Sequence, residues 1–260
     1  KNGQTFQSQH VIVATGVNRI PNIPTWEGKD TFAGPFVHAN TYKNAQPFAG
    51  KKVLVIGMGN TGAELALDLS EHDCETFISV RGPVSIVPRD LNGRPVQLTS
   101  MQLAKIPFGL GDWLGNFIRG IYLGNLSKYG LKTPKLSPAK QLKVTGKTPV
   151  IDIGTVNQIK AGKIKVVPEI ASFQASGVVF KDGSKQALDA VILATGYRAR
   201  LTDFIDNTEG LLNKDGLPKQ AIGEGPQKGL YFIGFDNYKL GGIFGIIRSE
   251  VETIMADLAE

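Results

Sequence analysis

The chain has 260 residues, 42% of them hydrophobic and 20% charged, with a net charge of +6. That length supports one large or two modest α/β domains with real cores, and no charge-free run approaches the roughly 20 apolar residues of a membrane span. The lone cysteine, Cys74, excludes a disulfide framework and a C-x-x-C redox pair, and the scattered His10, His38 and His72 argue against a metal site.

The chain opens with Lys1-Asn2-Gly3, a polar stretch, and then Val11-Ile12-Val13-Ala14-Thr15-Gly16. The pattern returns at Lys181-Asp182-Gly183, leading to Val191-Ile192-Leu193-Ala194-Thr195-Gly196. Asn-Gly and Asp-Gly favour hairpin turns, and each apolar run predicts a buried strand. The repeat suggests two related units. The second copy closes a unit that begins at Lys51. The first copy has no glycine fingerprint upstream, which predicts that an N-terminal segment is missing and that the chain starts partway through its first domain. Between the copies, residues 17–50 are rich in proline and glycine and predict an irregular, functional connector.

The most informative stretch is Val53-Leu54-Val55-Ile56-Gly57-Met58-Gly59-Asn60-Thr61-Gly62. A buried strand, G-x-G-x-x-G and a helix predicted over Thr61 to Leu69 form the context of a dinucleotide fingerprint. Gly57 permits the tight turn, Gly59 admits a pyrophosphate, and Gly62 lets helix and strand pack closely. The helix N-terminus presents unpaired N–H groups to the phosphates. The next strand, Glu75 to Val80, ends at Arg81. A carboxylate there would suit NAD; a guanidinium suits the 2′-phosphate of NADPH, although a solvated strand-end arginine is the plainer alternative.

Farther on, Val84 to Arg89 precedes an Asn92-Gly93 turn, and residues 96–126 are mostly helical in pattern. Aromatics at Phe108, Trp113, Phe117 and Tyr122 suggest core packing or a lid over a substrate tunnel, with a membrane-facing surface as the alternative. Ser127 to Thr148 predicts a basic loop. Pro149–Asp152, Ile164–Val167 and Val178–Phe180 predict short strands returning to the sheet. After Tyr197 the chain is irregular until the buried strand Gly229–Gly234. Gly241-Gly242 then opens a helix running to the end, with Gly241 placed either as a cap or beside another anionic group. The basic residues lack a nucleic-acid motif, so a solvated face is expected and no nucleic-acid partner.

Together these residues resemble the flavin-containing monooxygenases, and most closely their YUCCA-like branch. The identifying motif F-x-G-x-x-x-H-x-x-x-[YF] matches at Phe32, Gly34, His38 and Tyr42, and the A-T-G-Y motif at Ala194-Thr195-Gly196-Tyr197. The stretches Lys128–Leu131, Gly146–Asp152 and Gly229–Tyr231 also follow the pattern. The resemblance covers essentially the whole chain.

It implies a two-dinucleotide-binding-domain α/β flavoprotein fold, with a Rossmann-like NADPH domain inserted in an incomplete FAD domain. Residues 1–44 would end the first FAD segment and carry the linker, 45–197 the NADPH domain, and 198–260 the returning FAD segment. NADPH reduces FAD, and a C4a-hydroperoxyflavin formed with O2 oxygenates a small organic substrate. The cofactor carries the chemistry, so no catalytic side chain is assigned. Cofactor binding would fall to Gly57, Gly59, Asn60, Thr61, Gly62 and Arg81, with His38, Thr15, Gly16, Thr195, Gly196, Tyr197 and Gly241. The family's first glycine motif is absent, so this chain alone should hold FAD weakly or not at all. An NADPH-binding module without turnover is the second reading. A pyridine-nucleotide disulfide reductase would need the cysteine pair that is missing. A cytoplasmic location is expected.

Overall fold

The structure is a computed structural model describing residues 3–107, 109–236, 238 and 242–259. The chain forms two compact units, residues 21–196 and residues 1–20 with 197–260. Gly241, Asn2 and Phe108, singled out from the sequence, lie outside the described residues.

Residues 21–196 are built on a five-stranded parallel sheet. Its spatial order is Ile164–Val167, Glu75–Ser79, Lys52–Ile56, Ala190–Leu193 and Phe36–His38. The strand Lys52–Ile56 has a partner on each side, and Val53, Leu54 and Val55 are wholly buried. Alternation sends these side chains to opposite faces. Val53 and Val55 join Ala63, Ala66 and Leu69 of the helix Asn60–Glu71 in one core. Leu54 and Ile56 join Phe173, Val178 and Phe180 in the other. Both faces are covered, so an unbroken apolar run is the right pattern for this strand.

The second face is covered by an antiparallel sheet of Ile170–Gln174, Gly177–Phe180 and Lys185–Ala187. Here the structure differs from the sequence expectation. Only Ile164–Val167 of the three short runs joins the parallel sheet. Val150–Asp152 pairs with Ile86–Pro88, and Gly177–Phe180 belongs to the antiparallel sheet. Strands this short carry no signal for their partner, because periodicity reports faces and not neighbours. The connector is also less irregular than expected. Its Phe36–His38 is the edge strand of the parallel sheet, and Phe36 meets Phe173 edge-on at 5.1 Å between ring centroids.

Helices span Val96–Leu103 and Leu110–Leu123, as the pattern predicts. The basic loop, however, contains a further helix, Pro138–Thr145. The Ser137 hydroxyl accepts the Lys140 N–H at 3.2 Å, Pro138 occupies the first turn, and Gly146 ends the helix at φ 66°. Those are ordinary start and stop signals, masked in the sequence by the lysines between them. No described helix is long and apolar enough to cross a membrane.

In the other unit, Val11–Val13 pairs in parallel with Leu230–Phe232. Val13, Leu201, Leu217, Phe232 and Phe235 form its core. The helix Gly242–Leu258 buries Ile246 and Ile254, and the Glu250 carboxylate accepts the Gly234 N–H at 2.6 Å. The expected buried strand is buried only at Val13. Val11 and Ile12 are 51% and 48% exposed. A two-stranded sheet covers too little of them, in keeping with the expectation that this unit shows apolar surface.

Candidate nucleotide-binding cleft

The turn after Ile56 is set by backbone geometry. Gly57 has φ +104°, where a Cβ would stand 2.6 Å from the Ala194 carbonyl oxygen. A Cβ on Gly62 would stand 2.0 Å from the Gly57 carbonyl oxygen, so only glycine lets the helix Asn60–Glu71 approach its strand. Gly59 is different. It is exposed at the helix N-cap, lacks a side-chain cap, and a Cβ there would meet nothing within 4 Å. The protein itself sets no steric demand for glycine at this position. The open space fits the backbone approach of a phosphate group, and the free N–H groups of the first turn give that space a positive field.

Gly57 and Gly59 line an open cleft of about 1780 Å³, together with Arg81 and Thr195. Arg81 is exposed just beyond Glu75–Ser79, and among the described residues neither it nor Lys147 forms an ion pair. The opposite wall includes Asn22, Trp26, Gly146, Lys147 and Thr148. Glu169 is the acidic residue lining the cleft, and its carboxylate is held by Lys181 at 3.0 Å. Two unpaired cations and an open helix start can receive a polyanionic nucleotide. The donor set therefore fits NADPH.

Other predicted residues serve different roles here. The Asn60 side chain accepts the Ile151 N–H at 2.8 Å and donates to the Pro149 carbonyl at 3.4 Å, tying the helix start to the strand Val150–Asp152. Thr61 is exposed on the same first turn, and Gly62 is buried behind it. The Thr195 hydroxyl donates to the Asn22 carbonyl at 2.5 Å, and the Asn22 amide donates back to the Thr195 carbonyl at 3.2 Å. Gly196 carries its carbonyl to His38, which is buried and does not line the cleft. The His38 Nδ1 accepts the Asn40 N–H at 3.2 Å, so the Nε2–H donates to the Gly196 carbonyl at 3.1 Å. That bond holds the end of strand Phe36–His38 against the loop after Ala190–Leu193. Four residues farther on, the Tyr42 hydroxyl donates to Asp68 at 2.5 Å. Burial, and then the bond to Asp68, push the Tyr42 hydroxyl well above its ordinary titration range. Thr15, Gly16 and Tyr197 belong to the other unit, where Thr15 borders an apolar groove.

Trp26, Lys147 and Asn22 were not assigned to the site from sequence. Lys147 lay within a recognised stretch, but nothing local to it signals that it faces Arg81 across a cleft.

The chain matches the flavin-binding monooxygenase-like family over residues 2–216. It is 39% identical to indole-3-pyruvate monooxygenase YUCCA4 of Oryza sativa subsp. japonica, over 97% of this chain and 58% of that protein. It is 40% identical to the probable indole-3-pyruvate monooxygenase YUCCA3 of Arabidopsis thaliana, over 90% of this chain and 54% of that protein. The chain thus spans a little over half the length of these relatives. A flavin-containing monooxygenase from Stenotrophomonas maltophilia superposes with a TM-score of 0.66 at 21% identity, covering 96% of this chain and 62% of that one. An oxidized steroid monooxygenase bound to NADP gives 0.67 at 18% identity, covering 96% and 60%. These likenesses show the shared two-dinucleotide-domain fold. With the glycine turn, the parallel sheet and the match over most of its length, the chain belongs to the flavin-binding monooxygenase-like family.

Proposed function

We propose that residues 21–196 bind NADPH as part of an NADPH- and FAD-dependent monooxygenase acting on a small organic substrate with O2. The observation that carries this reading is the grouping of Gly59, Arg81 and Lys147 around one cleft. The N–H groups beside Gly59 would take the pyrophosphate, and Arg81 the 2′-phosphate, in bidentate fashion. Thr195 would help close the cleft floor. Flavin, when bound, supplies the redox and oxygen chemistry. The described part of the other unit offers no strand–glycine–helix turn, so no flavin contact is assigned to its residues beyond the proposed Thr15, Gly16 and Tyr197. His38 and Tyr42 orient the linker strand rather than touch the reacting atoms. By likeness to the YUCCA proteins, the substrate class is a 2-oxo acid such as indole-3-pyruvate. A cytoplasmic site of action is part of the proposal, supported by a single unpaired cysteine.

The test extends the chain N-terminally to the length of its relatives, loads it with FAD and follows NADPH oxidation in air. The reading predicts flavin retention and NADPH consumption coupled to oxygenation of indole-3-pyruvate. An extended chain that binds NADPH without oxidising it would instead establish the binding-module reading.

A further inference from the structure

Beyond the nucleotide cleft, residues 87–139 enclose a second cavity of about 570 Å³. Its walls are mostly apolar, with Val87, Leu91, Val96, Leu103 and Ile118 prominent. Arg119 also lines it, projecting from the helix Leu110–Leu123. Its Nη1 is buried without a hydrogen-bond partner, and among the described residues Arg119 forms no ion pair. Asn116 Oδ1 and Gln141 Oε1 are also buried and unpartnered, and neither bonds the guanidinium. Loss of hydration pushes the Arg119 guanidinium below its ordinary value, but arginine stays charged in proteins. A buried charge without a counter-ion is costly, and proteins keep one where an anion will meet it.

The cavity dimensions fall in the range for small-molecule sites, where apolar walls give affinity and a few polar groups set orientation. An adjoining cavity shares Leu103, Ala104, Asp112 and Ala139 and adds Lys140 and Lys143, placing positive charge beside the entrance. The acidic group at this rim, Asp112, accepts the Ser137 hydroxyl at 2.6 Å. A carboxylate at the rim disfavours dianions such as phosphate, which the apolar walls would also exclude.

We infer that this cavity binds an apolar organic monocarboxylate, with Arg119 receiving the carboxylate. A neutral apolar ligand would leave the guanidinium unpaired. Binding here requires neither NADPH nor flavin chemistry, so its failure and that of the redox reading are separable.

The test is a calorimetric titration of the 260-residue chain with 3-phenylpropanoate and, separately, with its neutral amide. The acid should bind about tenfold or more tightly than the amide, the scale of one charge-assisted pair. Arg119→Met should bring the two ligands within about threefold, while its circular-dichroism melting point stays at or above the wild-type value because an unpaired buried charge is gone. Equal binding of acid and amide by the wild-type chain would overturn the inference, and that comparison needs no variant to fold. An undiminished acid preference in Arg119→Met would overturn it as well.

Discussion

In the sheet of residues 21–196, the strand Lys52–Ile56 has a neighbour on each side and buries Val53, Leu54 and Val55 completely. In the other unit, Val11–Val13 pairs with Leu230–Phe232 and leaves Val11 and Ile12 about half exposed. The two apolar runs look alike, and one even shares its Ala-Thr-Gly ending with the buried strand Ala190–Leu193. What separates them is the number of neighbours and covering layers. An apolar run reports a tendency to be buried, and the rest of the fold decides whether that burial is achieved.

The sharpest way to break this contrast is at the close contact of the first sheet. Gly62→Val would drive Cβ into the Gly57 carbonyl, 2.0 Å away in the present geometry. The helix must move off the sheet, and we expect a loss of about 4 kcal/mol in urea unfolding, at the upper end for single substitutions. Next comes Leu54→Ala, which leaves a void between Phe77, Phe173 and Val191. It should cost about 3 kcal/mol by the same measurement.

Tyr42→Phe removes the bond to Asp68 on the fingerprint helix and should cost about 1 kcal/mol at neutral pH. The sign of its pH dependence follows from the raised hydroxyl. Above pH 10.0, the ordinary tyrosine value, the unfolded chain releases this proton while the folded chain keeps it, so stability falls as pH rises. Unfolding measured from pH 9 to 11 should therefore show a shallower decline in the phenylalanine variant, with about one pH unit read on either side of the tyrosine value. The smallest effect is expected at Ile12→Ala. With the side chain half exposed, it should cost about 1 kcal/mol or less, and a loss as large as that of Leu54→Ala would erase the contrast between the two sheets.

Much of the nucleotide unit was legible in the chain. Val53–Gly62 carries strand, turn and helix start in adjacent residues, so each glycine's steric reason could be derived before any coordinates. Arg81 was legible because it ends the next strand of the same unit. Legibility failed where a residue's role depends on distant partners. Lys147 reaches the cleft through a loop after a helix whose caps were hidden among lysines. Asn60 looked like a phosphate ligand from its place in the fingerprint, yet its side chain is committed to Pro149 and Ile151, about 90 residues on, a separation that local patterns do not report. Arg119 gave no sequence signal at all, because its want of a partner exists only once the helices around it are packed.

The central claim is that the cleft reads the 2′-phosphate of NADPH, and it is tested most directly by titrating the chain and its Arg81→Ala variant with NADPH and with NADH. The account predicts one NADPH per chain, bound about tenfold or more tightly than NADH, with that preference largely lost in the variant while NADH binding changes by less than about threefold. Equal affinities in the wild-type chain, or equal losses for both nucleotides in the variant, would contradict it.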